Sequence, residues 1–168
     1  VANEAAISAL EEANLVILSV GSYFNSLGAA LIVPGVSEAI SKAKRVNGAK
    51  VLYMGNTMTE PGQTGLLTSV KMHYDTMELF GVRYLVTDVA VHKNGAFDHI
   101  LVQRYEQRGA MIVIDDADSI GNGVTIHRMD LASGETYTGT TAGKGQKIKY
   151  VRHDPRKVAS LLKLFIPS

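Results

Sequence analysis

Two loops gather the short polar side chains best suited to holding a ligand. The first, Gly21-Ser22-Tyr23-Phe24-Asn25-Ser26, follows the apolar run Leu15 to Val20 and leads toward a helix. Glycine lets the backbone approach a ligand closely, and backbone N–H groups with hydroxyls can hold an anion such as phosphate. An ordinary polar turn has the same composition, so these residues alone leave both readings open. The second loop is denser: Gly55-Asn56-Thr57-Met58-Thr59-Glu60-Pro61-Gly62-Gln63-Thr64 sets amides, hydroxyls and one carboxylate around a Pro-Gly turn. Such a concentration after a buried strand suits recognition of a polar ligand. Helix capping by Thr64 is the competing explanation.

The other reactive residue types are less well placed. There is no cysteine, which excludes disulfides, thiolate metal sites and a Cys nucleophile. Gly139-Thr140-Thr141-Ala142-Gly143-Lys144-Gly145 resembles a phosphate loop but lacks its spacing and its final Ser or Thr. Asp115, Asp116 and Asp118 read as solvated turn formers at a strand end. His73, His92, His99 and His127 show no metal-ligand spacing, and no metal site is expected. The basic cluster Lys144, Lys147, Lys149, Arg152, Arg156 and Lys157 reads as a solvated face; with a net charge of +1, no nucleic-acid partner is expected.

The elements that must position the two loops follow from periodicity. Ala5, Ala6, Ala9, Leu10 and Ala13 give an opening helix, and Leu15 to Val20 a strand buried on both faces. Val36, Ala39, Ile40 and Ala43 recur at helical spacing, with Pro34 at or before the first turn. Lys50 to Met54 reads as the second strand, Leu66 to Phe80 as a long helix stopped by Gly81, and Val82 to Val89 as the third strand. Asp98 to Arg108 reads as a helix closed by Gly109, Ala110 to Ile114 as the fourth strand, and Gly123 to Met129 as an edge strand. Gly134 to Lys147 is a glycine-rich loop or short hairpin, and Asp154-Pro155 opens a last helix with Val158, Leu161, Leu162 and Phe165 on one face.

This alternation predicts an α/β fold, Rossmann-like and three-layered, with a mostly parallel sheet in a single domain over residues 1–168. In such open sheets ligands sit beyond the carboxyl ends of the strands, where both polar loops lie. No apolar run reaches the roughly 20 residues needed to cross a bilayer, so no membrane association and a cytoplasmic location are expected.

Several stretches are similar to the gluconeogenesis-factor family, relatives of the 2-phospho-L-lactate transferases (CofD-like proteins). Asn14-Leu15-Val16-Ile17-Leu18-Ser19-Val20-Gly21-Ser22 resembles the family's A-D-L-I-V-L-G-P-G-S, and Leu31 to Ile40 its L-L-V-P-G-I-A-E-A-I. Asn56 to Thr64 resembles N-L-M-T-Q-P-G-E-T, while Val151-Arg152-His153-Asp154-Pro155 with Lys157 resembles V-R-H-D-P-E-K. The Arg104-Tyr105 and Gly109 region fits as well. Val20 stands in place of a proline, and Gly65 and Lys71 stand where the family tends to carry acids.

The resemblance implies a chain matching the carboxyl-terminal half of a longer family fold, without the G-G-G-T-G loop of the other half. It implies a nucleotide- or nucleotide-sugar-binding protein of central carbon or cell-envelope metabolism. Gly21, Ser22, Asn25, Asn56, Thr59, Gln63 and Thr64 are the expected ligand-binding residues. A transferase moving a phospholactyl group from a nucleotide carrier to a deazaflavin, with Mg²⁺, is the first alternative. An inactive or engineered half-domain is the second. The apolar surface that the other half would cover predicts a homodimer or a partner half.

Overall fold

The computed structural model describes residues 2–19, 21–93, 97, 99–121, 123–133, 137–140 and 147–166. Four strands, β1 (Leu15–Leu18), β2 (Lys50–Met54), β3 (Asp88–His92) and β4 (Thr125–Met129), form one sheet in the order β1-β2-β3-β4. Every neighbouring pair is parallel; Ile17 stands beside Leu52, Leu52 beside Asp88 and Ala90 beside His127. A second, antiparallel pair joins β5 (Tyr137–Thr140) to β6 (Lys147–Tyr150).

The sheet is covered on both sides at its centre, but β1 is not buried on both faces as the sequence predicts: it lies at the sheet edge and Ile17 is 37% exposed. Val16, Leu18, Val51, Tyr53, Val89 and Val91 point into the larger core. There they meet α1 (Glu4–Glu11), α2 (Ala29–Leu31), α3 (Val36–Asn47) and α4 (Val70–Thr76) through Leu10, Leu31, Ile40 and Val70. Alternate residues Leu52, Met54 and Ala90 point the other way, onto Leu131 and onto Leu161 of α6 (Pro155–Leu162). The helix between these layers in sequence, α5 (His99–Glu106), lies against the candidate site. Asp154 caps α6, its Oδ1 accepting from Arg156 N at 2.8 Å, and Val158, Leu162 and Phe165 pack as the apolar spacing requires. Among the described residues no helix is long and apolar enough to cross a membrane.

Three boundaries differ from the sequence reading. The predicted long helix from Leu66 begins only at Val70, because Ser69 is its N-cap, accepting from Met72 N, and Leu66 is 86% exposed in the preceding turn. The predicted strand Val82 to Val89 is displaced. Val82 N bonds back to Met77 O, Arg83–Leu85 form a 3₁₀ turn, and the strand starts at Asp88. Ala110 to Ile114 is not a sheet strand at all. Its backbone bonds to the second loop and to the start of α4: Val113 N donates to Thr57 O at 3.0 Å and Ile114 N to Thr68 O at 2.9 Å. The segment is as apolar as a strand, but only Ala110 and Val113 are buried, Met111 and Ile114 are exposed, and its partners are loop residues. The first strand ends at Leu18, and its predicted last residue Val20, like Asp98 of the predicted helix and residues 134–136 and 141–146 of the glycine-rich stretch, lies outside the described residues.

Candidate functional site

Because β1 and β2 are parallel neighbours, the loops that leave their carboxyl ends emerge side by side. Asn56 fastens them together, its Nδ2 donating to Gly21 O at 2.9 Å. Ser22 makes a second tie: its Oγ donates to Gln63 Oε1 and accepts from Asn25 N at 3.3 Å. The first loop then enters a π-helical turn, Tyr23–Gly28, anchored by the buried Tyr23 hydroxyl donating to His73 O. Tyr23 also packs edge-on against the His73 ring, with centroids 4.9 Å apart. A rigid floor under the first loop follows.

The second loop is braced from within. Thr64 Oγ1 accepts from Glu60 N at 2.8 Å, and Glu60 O accepts from Thr64 N at 2.9 Å, closing the Pro61-Gly62 turn on itself. Thr59 is pinned to the 110–114 segment, its N donating to Met111 O at 2.8 Å and its Oγ1 accepting from Met111 N at 2.9 Å.

These loops form one wall of a cleft of about 1170 Å³. A second wall comes from the end of α5 and from the stretch after β6: Arg104, Tyr105 and Arg108, then Val151, Arg152 and His153. The two parts of that wall are joined, since Val151 N donates to Tyr105 Oη at 2.8 Å. The exit from α5 is a Schellman turn. Ala110 N bonds Tyr105 O, Gly109 N bonds Glu106 O, and Gly109 takes φ +77, a left-handed conformation that glycine adopts without strain. This turn sends the chain from the arginines straight back to the second loop.

The electrostatics divide the cleft. Arg104 and Arg108 are exposed and form no ion pair among the described residues. His153 sits deeper. Burial pushes its imidazole down to about 4; the neighbouring His92 lowers it further, while a hydrogen bond with the Gly55 backbone opposes the shift. His92, almost wholly buried, accepts from Leu131 N and Ala132 N through Nδ1 at 3.1 and 3.2 Å, and burial lowers its affinity for a proton as well. Both rings are therefore neutral near pH 7, and the positive charge of the cleft resides on its arginines.

Of the expected residues, Gly21, Ser22, Asn56 and Thr59 line the cleft. Asn25 and Gln63 are exposed beside it and hold Ser22 rather than forming the wall. Thr64 is 1% exposed and serves the turn, as the capping explanation anticipated in kind, though Ser69 is the actual helix cap. Sequence patterning alone did not single out Arg104, Arg108, Arg152 or His153. Arg152 falls in the basic cluster read as a solvated face, and only the V-R-H-D-P and Arg104-Tyr105 resemblances marked these stretches. The aspartates are structural: Asp115 and Asp118 pair with Arg128, and Asp116 Oδ1 accepts from Lys71 N. His127, in the middle of β4, lies 2.8 Å from the buried Asp88 at the amino-terminal end of β3, away from the carboxyl-end loops of the cleft.

Comparison with known proteins decides the family. Residues 1–132 match the family described as 2-phospho-L-lactate transferase CofD. The chain belongs to the CofD family. It is 30% identical over 162 residues to a putative gluconeogenesis factor of Aquifex aeolicus, covering 96% of this chain and 44% of that protein. It is 31% identical over 157 residues to the gluconeogenesis factor of Bacillus subtilis, covering 93% of this chain and 44% of that one. The chain thus spans less than half the length of these CofD-like relatives. A crystal structure of a Bacillus halodurans protein of the UPF0052 family shares the fold, with a TM-score of 0.76 at 24% identity over 96% of this chain and 46% of that one.

Proposed function

We propose that this CofD-family chain binds a nucleotide or nucleotide sugar in the cleft between the two polar loops and α5. The observation that carries the reading is the pair Arg104 and Arg108, cations without ion-pair partners among the described residues, on a wall shared with Arg152. Guanidinium groups suit phosphate oxygens, which they can engage through two parallel hydrogen bonds. On the same cleft Gly21 offers exposed backbone at a strand end, and Asn56 holds that loop in place. A cleft of about 1170 Å³ has room for a ligand larger than a phosphate ion.

The transferase alternative calls for Mg²⁺ and a group donor. Among the described residues the cleft lining has one carboxylate residue, Glu60, against three arginines, a set suited to anions rather than to a divalent cation. Binding is accordingly the activity the side chains support best. Calorimetric titration of the chain with a panel of nucleoside diphosphates and nucleotide sugars tests it. Saturable binding that weakens with added salt is expected, and no heat from any member of the panel would refute the reading.

A further inference from the structure

His92 ends β3 behind the cleft, and part of the second wall is seated on it through two stretches of backbone. Its ring is almost wholly buried, and Nδ1 accepts from Leu131 N at 3.1 Å and from Ala132 N at 3.2 Å. A ring nitrogen that accepts carries no proton, so these two bonds require the neutral ring. Residues 131–133 in turn hold residues 152–154. Asp154 N donates to Leu131 O at 2.8 Å, Ser133 N donates to Arg152 O at 2.7 Å, and Ala132 bridges to His153. Arg152 and His153 line the cleft.

A proton on Nδ1 cancels both bonds at once. It strands two N–H groups, on the buried Leu131 and Ala132, and a buried donor without a partner is costly. It also gives the ring another partner, because Asp130 Oδ1 lies 3.7 Å from Nδ1. Asp130 is shared with Lys157 of α6, whose Nζ also donates to Ala132 O at 2.8 Å. The His153 ring is the other titratable group near His92, and Phe97 packs on the His92 ring with centroids 4.6 Å apart. Burial holds His92 below the ordinary histidine range; Asp130 opposes that shift and Lys157 reinforces it. The seated arrangement is therefore the one present at neutral pH, and acid favours the other. Resting on the nucleotide reading above, we propose that His92 is a positioning residue for that ligand: its neutral Nδ1 seats residues 131–133, these seat Arg152 and His153, and protonation turns the ring to Asp130 and releases the wall. The released form holds a proton that the ligand-bound form lacks, so affinity falls in acid by at most about tenfold per pH unit. Protonation of His153, at about 4, adds positive charge to the wall and acts with the opposite sign.

The test compares the parent chain with His92→Asn and His92→Leu, each titrated with uridine diphosphoglucose, whose own charge is constant over the range used. The titrations run from about pH 7.5 to about 4.5, spanning the ordinary histidine value and the region below it. Asparagine puts a carbonyl oxygen where Nδ1 stands and takes up no proton there. His92→Asn should match the parent at neutral pH and stay flat toward acid while the parent weakens. His92→Leu, without an acceptor, should bind about tenfold more weakly at every pH. A second readout needs no ligand: exchange protection of the Ser133 and Asp154 amides, with the β2 amides reporting global unfolding. In the parent the two wall amides should lose protection in acid ahead of β2, and in His92→Asn they should not. Equal acid losses of affinity and protection in parent and His92→Asn would overturn the proposal, as would full affinity in a folded His92→Leu chain. If the parent binds no nucleotide of any kind while its wall amides open in acid and those of His92→Asn stay closed, the nucleotide reading fails and the seating of the wall by His92 stands.

Discussion

His153 makes the structure acutely sensitive to acid. Its imidazole is pushed down to about 4 by burial, whereas in the unfolded chain it titrates at the ordinary value near 6.5. Between those two values the unfolded chain holds a proton that the folded chain does not, so stability falls as pH drops through this window. Above about pH 7.5 both states are neutral and nothing is lost. Working the linkage from pH 7 to about 4.5 gives a loss of about 2 kcal/mol from this one group. His73 and His92, whose affinities burial also lowers, add to it in the same direction. Urea unfolding of the chain and of His153→Gln at several pH values separates the contributions. The variant should lose about 2 kcal/mol less than the parent between pH 7 and about 4.5, whatever its stability at pH 7. Parallel pH profiles for the two proteins would show that His153 titrates normally in the fold, and the burial argument would be wrong.

Other consequences can be checked with single variants. Asn56→Ala removes the tie to Gly21 O and should loosen the first loop, weakening nucleotide binding by roughly tenfold with a small change in melting temperature. Leu161→Ala opens the smaller core beneath β2 and β3, where Leu161 is fully buried, and should cost about 2–5 kcal/mol in urea unfolding without touching the cleft. β1 is an edge strand with Ile17 37% exposed, so a homodimer that covers this edge is expected; sedimentation as a monomer at every concentration would count against it.

The parallel sheet was legible because buried strands such as Lys50–Met54 and amphipathic helices such as Val36–Asn47 carry their period in the sequence. The cap at Asp154 was legible for the same local reason, a side chain bonding to its own helix. What could not be read locally was pairing at a distance. Ala110 to Ile114 has the composition of a strand, and only the fold reveals that Thr57 and Thr68 receive its hydrogen bonds. The cleft shows the same division. Its loop wall follows two strands and could be located from topology, but the wall bearing Arg104, Arg108 and Arg152 is assembled from segments more than 40 residues apart. Nothing in the spacing of those arginines brings them together. The Val151–Tyr105 hydrogen bond does so in three dimensions.

The central claim is that Arg104 and Arg108 hold the phosphates of a bound nucleotide. The most direct measurement is calorimetric titration of a nucleoside diphosphate into the chain and into the Arg104→Ala/Arg108→Ala double variant. Each lost charge-assisted hydrogen bond is worth roughly 1.5–3 kcal/mol, so the affinity should drop by about a hundredfold or more. The melting temperature should hold, since neither arginine forms an ion pair among the described residues. Unchanged affinity in the double variant, or no binding by the parent chain, would contradict the account.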